Sequence, residues 1–169
     1  MNVSTIITEK RGMASSLKKE YGLLQKHKPL GLIRITDSEI LKDLLPWLSV
    51  LWAGFIVYWK DLNPENFSKN VTVTNKLTQN MLIWFDFVVG DENIEKIDDY
   101  SSRAIAPILE SSTHLSSILS EFNPIKNEGN TFFYDQNNSW SIFYSIVRYL
   151  ENYKFPFDNK NLVKNILEI

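Results

Sequence analysis

The chain contains no cysteine. That one absence excludes disulfides, iron–sulfur clusters, thiolate zinc sites and a cysteine nucleophile. Histidine is nearly as scarce, with only His27 and His114, so a zinc site would have to be built from imidazole plus carboxylates. Six Gly and six Pro among 169 residues are few for a loop-rich all-β fold. They supply no Gly-x-x-x-x-Gly-Lys-Ser/Thr phosphate loop, no Gly-x-Gly-x-x-Gly turn and no Gly-x-Ser-x-Gly elbow. The first residues lack the apolar stretch of a secretory signal. Long hydrophobic runs are missing too. The longest, Leu44 to Trp59, has sixteen residues without a charge. As a helix it would reach only ~24 Å, short of the ~20 residues that cross a bilayer.

What the chain does hold is aromatic area: five Trp, seven Tyr and ten Phe. Three of the tryptophans, Trp47, Trp52 and Trp59, fall inside the uncharged run. Read as a helix, that run is apolar around its whole circumference, which predicts a central helix enclosed by others. Around it, Leu17, Tyr21 and Leu24 predict a short helix over 15–25, and 30–35 a short strand. Thr36 and Glu39 fit a capping box opening the helix that leads into the run. The stretch 66–89 fits helix and hairpin nearly equally, and the helix is preferred. Residues 94–122 read as helical from three- and four-residue spacings, and 131–134 as a short strand. Asn138 or Ser139 caps a helix through Leu150, and Asp158 caps a terminal one. The expected fold is mainly α: a single-domain helical bundle over residues 1–169 around the aromatic-rich central helix, with room for a small β element.

The net charge of −2 is unevenly spread, since six Lys/Arg stand against two Glu up to Pro29. Residues 1–29 therefore read as a basic, peripheral segment on a mildly acidic body. So modest a cluster does not predict nucleic-acid binding. Chemistry-bearing clusters are sparse. Glu110 and His114 would share a face if 110–114 were helical, giving a carboxylate–imidazole pair. Asp91, Glu92, Glu95, Asp98 and Asp99 form the densest charge run. It fits a solvated helix start, where the macrodipole favours carboxylates, or a partner-binding patch, rather than a metal site, because carboxylates on one helix splay apart.

No catalytic residue, metal or cofactor is therefore expected, and the chain reads as no enzyme. The function expected is a cytoplasmic accessory protein of the bacterial immunity or antitoxin type, neutralising a toxin by direct binding. Its partner would be a protein, such as a basic toxin domain, held at Asp91, Glu92, Glu95, Asp98 and Asp99. The alternatives are a small enzyme using Glu110, His114 or the acidic cluster, and a peripheral membrane protein using the Trp-rich run without stable insertion.

Overall fold

A computed structural model describes residues 2–26, 29–91, 94 and 96–169. The chain opens with α1 (Val3–Glu20), capped by Asn2, whose side chain accepts the Ser4 N–H at 3.0 Å. The strands β1 (Leu30–Arg34) and β2 (Gly54–Tyr58) flank the helix α2 (Ser38–Ser49). A two-residue strand β3 (Glu65–Asn66) and β4 (Val71–Thr74) follow. The short helix α3 (Gln79–Leu82) leads to β5 (Phe87–Gly90), and α4 (Asp98–Ser101) to β6 (Ala106–Glu110). A 3-10 turn at His114–Ser117 precedes β7 (Phe132–Tyr134), and α5 (Ser139–Tyr153) and α6 (Pro156–Leu167) complete the chain.

The seven strands form one sheet in the order β3-β4-β2-β1-β5-β6-β7. Every neighbouring pair is parallel except β3 with β4 at the edge. From β1 the chain winds outward through β2 to β4, then returns to the other side of β1 and winds through β5, β6 and β7. Right-handed crossovers in opposite directions put helices on opposite faces. Accordingly α2, α5 and α6 pack on one face, around Phe55, Phe87, Ile108 and Tyr149. On the other face, α1, α3 and α4 pack around Leu17, Leu32, Val88 and Tyr100. Phe87 lies 4.5 Å from Tyr149 and 6.0 Å from Phe55, ring to ring.

This α/β architecture overturns the helical bundle. The uncharged run is not a helix but the end of α2, a turn, and all of β2. Parallel strands covered on both faces carry apolar residues at every position, so they lose the alternation that marks a strand. The break after α2 has a local cause in Asn70. Its buried amide nitrogen lies 3.2, 2.9 and 3.0 Å from the carbonyls of Leu48, Leu51 and Ala53, drawing the chain out of the helix. Trp47 remains 36% exposed, and Trp52 and Trp59 pack only at the margin of the core. Residues 94–122 likewise contain β6 rather than a long helix, and 66–89 holds the end of β3, β4, the short α3 and most of β5.

The basic first segment is no solvated arm. Of its residues, His27 and Lys28 lie outside the described ones. Lys10 and Lys18 are buried, at 7% and 4% exposure. Lys10 Nζ donates to the carbonyls of Arg103 and Ala104 at 2.9 and 2.7 Å, stapling α1 to the start of β6. The strand expected over 30–35, the one over 131–134 and the Asn138-capped helix are all present.

Candidate functional site

In open α/β sheets the crevice outside the carboxyl ends of the strands, where the winding direction reverses, is where ligands are met. Here that point lies between β1 and β5. The carboxyl end of β1 delivers Arg34, that of β2 delivers Tyr58 followed by Trp59, Lys60 and Asp61, and that of β5 delivers Gly90 and Asp91. A cavity of about 350 Å³ opens between the first two, lined by Arg34, Ile35, Thr36, Ser38, Tyr58, Trp59, Lys60 and Asp61. A second, of about 200 Å³, shares Arg34 and Tyr58 as a wall and is closed by Thr78, Gln79, Asp99 and Tyr100.

Arg34 ends an apolar strand and is half-buried. Its Nη1 donates to the hydroxyl of the buried Tyr100, and among the described residues no carboxylate is bridged to it. The guanidinium is thus oriented by a neutral phenol while its charge stays available to the cavity. Asp91 ties the two sides of the switch point together. Its Oδ2 accepts the Thr36 N–H at 2.6 Å and also the Thr36 hydroxyl. Beyond Thr36 the turn has no glycine, and the capping box is not used as expected. Asp37 is the N-cap, its Oδ1 accepting the N–H groups of Glu39 at 2.9 Å and Ile40 at 3.3 Å. A carboxylate therefore already occupies the N-terminus of α2, where many doubly wound folds seat a phosphate. An anion in this cleft would be met by side chains, Arg34 and Lys60, rather than by helix amides.

On the other side of the switch point, Tyr134 at the end of β7 donates its hydroxyl to the Gly90 carbonyl at 2.9 Å. Burial holds this phenol protonated far above its ordinary range, and the nearby carboxylates Glu110 and Asp91 push the same way. Arg148 on α5 is committed locally, paired with Glu121 and lying 5.6 Å over the Phe132 ring.

The residues singled out in the sequence are dispersed. Asp91 is buried against Thr36, while Glu92 and Glu95 lie outside the described residues. Asp98 and Asp99 open α4, with Asp98 exposed and Asp99 lining the smaller cavity. Glu110 is the last residue of β6 and His114 begins the 3-10 turn, so the two do not share a helix face. Among the described residues, no group of three or more His, Cys, Asp or Glu is arranged to hold a metal. No helix among them is long and apolar enough to cross a membrane. Sequence reasoning missed Arg34, Tyr58, Trp59 and Lys60. The signal for them was an apolar strand-length run ending abruptly in a cation or in aromatics followed by a cation, as in Leu-Gly-Leu-Ile-Arg and Phe-Ile-Val-Tyr-Trp-Lys.

No protein-family model and no curated protein matches the sequence. Solved structures do resemble the fold. The glycotransferase of kitacinnamycin superposes with a TM-score of 0.58 at 10% identity, over 86% of this chain and 40% of that one. EarP, which mediates arginine glycosylation of translation elongation factor EF-P, superposes with a TM-score of 0.53 at 7% identity, over 95% of this chain and 64% of that one. The chain thus spans less than two thirds of either protein. At these identities the resemblance shows the fold alone. The fold is one carried by sugar-transferring enzymes. With the helical bundle gone, this overturns the immunity or antitoxin reading and the expectation of a chain without enzymatic character.

Proposed function

We propose that this chain is a donor-binding module for glycosyl transfer, taking a nucleoside diphosphate sugar at the carboxyl edge of its sheet. The observation that carries the reading is the cavity between the carboxyl ends of β1 and β2, beside the switch point, where the cations Arg34 and Lys60 stand beside the aromatic pair Tyr58 and Trp59. Cations and aromatic rings side by side are the chemistry of a diphosphate attached to a base: the guanidinium and ammonium face the phosphates, and a ring supplies a stacking surface. Both fold neighbours act in sugar transfer, which agrees with this use of the cleft.

When the bond between a sugar's anomeric carbon and the diphosphate oxygen breaks, negative charge grows on the departing diphosphate. A guanidinium already fixed in place by Tyr100 meets that charge without having to reorganise, so it favours the transition state over the ground state. Transfer to an acceptor would need a second wall facing this edge, consistent with the longer chains of both neighbours. A cytoplasmic location, where nucleotide-activated sugars are made, fits this reading.

Calorimetric titration with UDP, GDP and dTDP tests it. One of the three should bind, and Arg34→Ala should weaken that binding about ten- to hundredfold, the loss expected for a charge-assisted contact worth ~1.5–3 kcal/mol. Absence of binding by all three, or equal binding by Arg34→Ala, would overturn the reading.

A further inference from the structure

Another cavity of similar size lies elsewhere, at the opposite edge of the sheet, and the cleft just described makes no use of it. It measures about 380 Å³ and runs beside α1, with Asp86 on the sheet side and Tyr153 from the end of α5 closing it. Asp86 immediately precedes β5 and Tyr153 ends α5, so this is the amino edge of the sheet. The length of the strands separates it from the carboxyl-edge cleft.

Four residues of α1, Thr8, Arg11, Ser15 and Lys18, line one wall. They recur every three or four positions and so form one stripe along the helix. Two are cations, and the other two give their hydroxyl protons locally, Thr8 to the Ser4 carbonyl at 2.9 Å and Ser15 to the Gln25 Oε1 at 3.0 Å. Arg11 lies beside the neutral phenol of Tyr153, and among the described residues it is bridged to no carboxylate. Between them sits Gly12, in a helix interior where glycine is costly relative to alanine. No packing demands it, because a Cβ there would meet nothing within 4 Å. A larger side chain there would enter open space beside the cavity.

Asp86 is half-buried, and its Oδ2 accepts the Leu30 N–H at 2.7 Å. No other hydrogen bond reaches this carboxylate among the described residues, which leaves an acceptor on the cavity floor. Lys10, Lys18 and Arg11 all act on it electrostatically, so the pocket is cationic around a single carboxylate. A ligand suited to it carries an anion for the Arg11 side and a hydroxyl to donate to Asp86. The volume has room for more than one oxyanion, and it lies within the range of ordinary small-molecule pockets. A bare sulfate or phosphate ester oxygen would face Asp86 as a like charge, whereas a hydroxyl would face it as a donor.

We propose that this cavity is a second ligand site, selective for a small phosphorylated polyol, with its phosphate on Arg11 and a hydroxyl on Asp86. The site is independent of the donor cleft, so the two readings stand or fall separately.

The test uses glucose 6-phosphate, ribose 5-phosphate and glycerol 3-phosphate as probes, followed by calorimetry and by amide shifts in the nitrogen-labelled protein. At least one should bind about tenfold or more tightly than inorganic phosphate or glucose, with shifts at Gly12, Ser15 and Tyr153. Gly12→Phe, which plugs the space without removing a charge, should abolish binding, and Arg11→Gln should weaken it about tenfold. UDP should leave it undisturbed. Failure of all three probes, binding no tighter than that of phosphate, binding that survives Gly12→Phe in a folded protein, or shifts centred on Arg34 and Trp59 would each overturn the proposal.

Discussion

Gly31 is the position where a single methyl group should do most damage to the sheet. It sits in β1, at the centre of the sheet, paired with Phe55 on one side and Phe87 on the other. A Cβ built there would lie 2.2, 2.5 and 2.7 Å from Cζ, Cε2 and Cε1 of Phe87. Ordinary contact begins at 3.4 Å, so the ring would have to retreat by about an ångström in an interior packed as densely as an organic crystal. It has nowhere to go: Phe87 is fully buried and held between Phe55 and Tyr149. Overpacking of this kind costs about 1–3 kcal/mol, offset only by the ~0.4–1 kcal/mol that Gly→Ala gains through the unfolded chain. Gly31→Ala should therefore lose about 1–2 kcal/mol and lower the melting temperature by roughly 2–8 °C. In urea the midpoint should fall at unchanged slope. Phe87→Leu should be destabilising alone, yet in the double variant the two losses should add up to less than their sum by about 1 kcal/mol or more. A Gly31→Ala protein as stable as the parent, or strictly additive losses, would refute the packing argument.

Two further outcomes follow from buried polar groups. Burial pushes Lys10 from its usual 10.5 down to about 8, with Asp86 opposing the shift. The unfolded chain therefore binds more protons between those values, and stability should rise with pH from about 8. Above about 10 the trend should reverse, because Tyr134, Tyr149 and Tyr153, all raised by burial, then ionise only in the unfolded chain. Urea unfolding across this range should show a maximum near pH 9–10, and a steady fall from neutral pH would contradict it. Thr36→Val removes a hydroxyl donor from the buried Asp91. It should cost about 1–3 kcal/mol and speed amide exchange in the β1–α2 turn; exchange unchanged there would show that Asp91 does not hold the switch point together.

How legible the chain was depended on what covers each element. The helix α5 was readable because only one of its faces is buried, so its apolar residues keep helical spacing, and because Asn138 caps it through the Ser141 N–H at 2.9 Å. The strands β2 and β5 were not, since both faces are covered and Gly-Phe-Ile-Val-Tyr or Phe-Val-Val-Gly carries no alternation. β6 was concealed differently. Tyr100, Ala104 and Ile108 keep four-residue spacing by coincidence, although the chain reverses at Ala104, whose φ is 55°. The cleft shared this fate, because Arg34, Tyr58 and Lys60 come together only once β1 and β2 are known to be adjacent parallel strands. The cavity beside α1 was hidden for a related reason: a basic helix beside an acidic body looks solvated until tertiary packing buries Lys10 and Lys18.

The most direct test of the central claim is the amide and side-chain spectrum of the nitrogen-labelled protein during titration with UDP, GDP and dTDP. The donor-cleft account predicts that one nucleotide shifts the Arg34 guanidinium, the Trp59 indole and the Lys60 amide together, saturably, while residues at the amino edge such as Asp86 stay in place. A spectrum that none of the three alters at Arg34, Trp59 or Lys60, or one whose changes lie only at the amino edge, would contradict it.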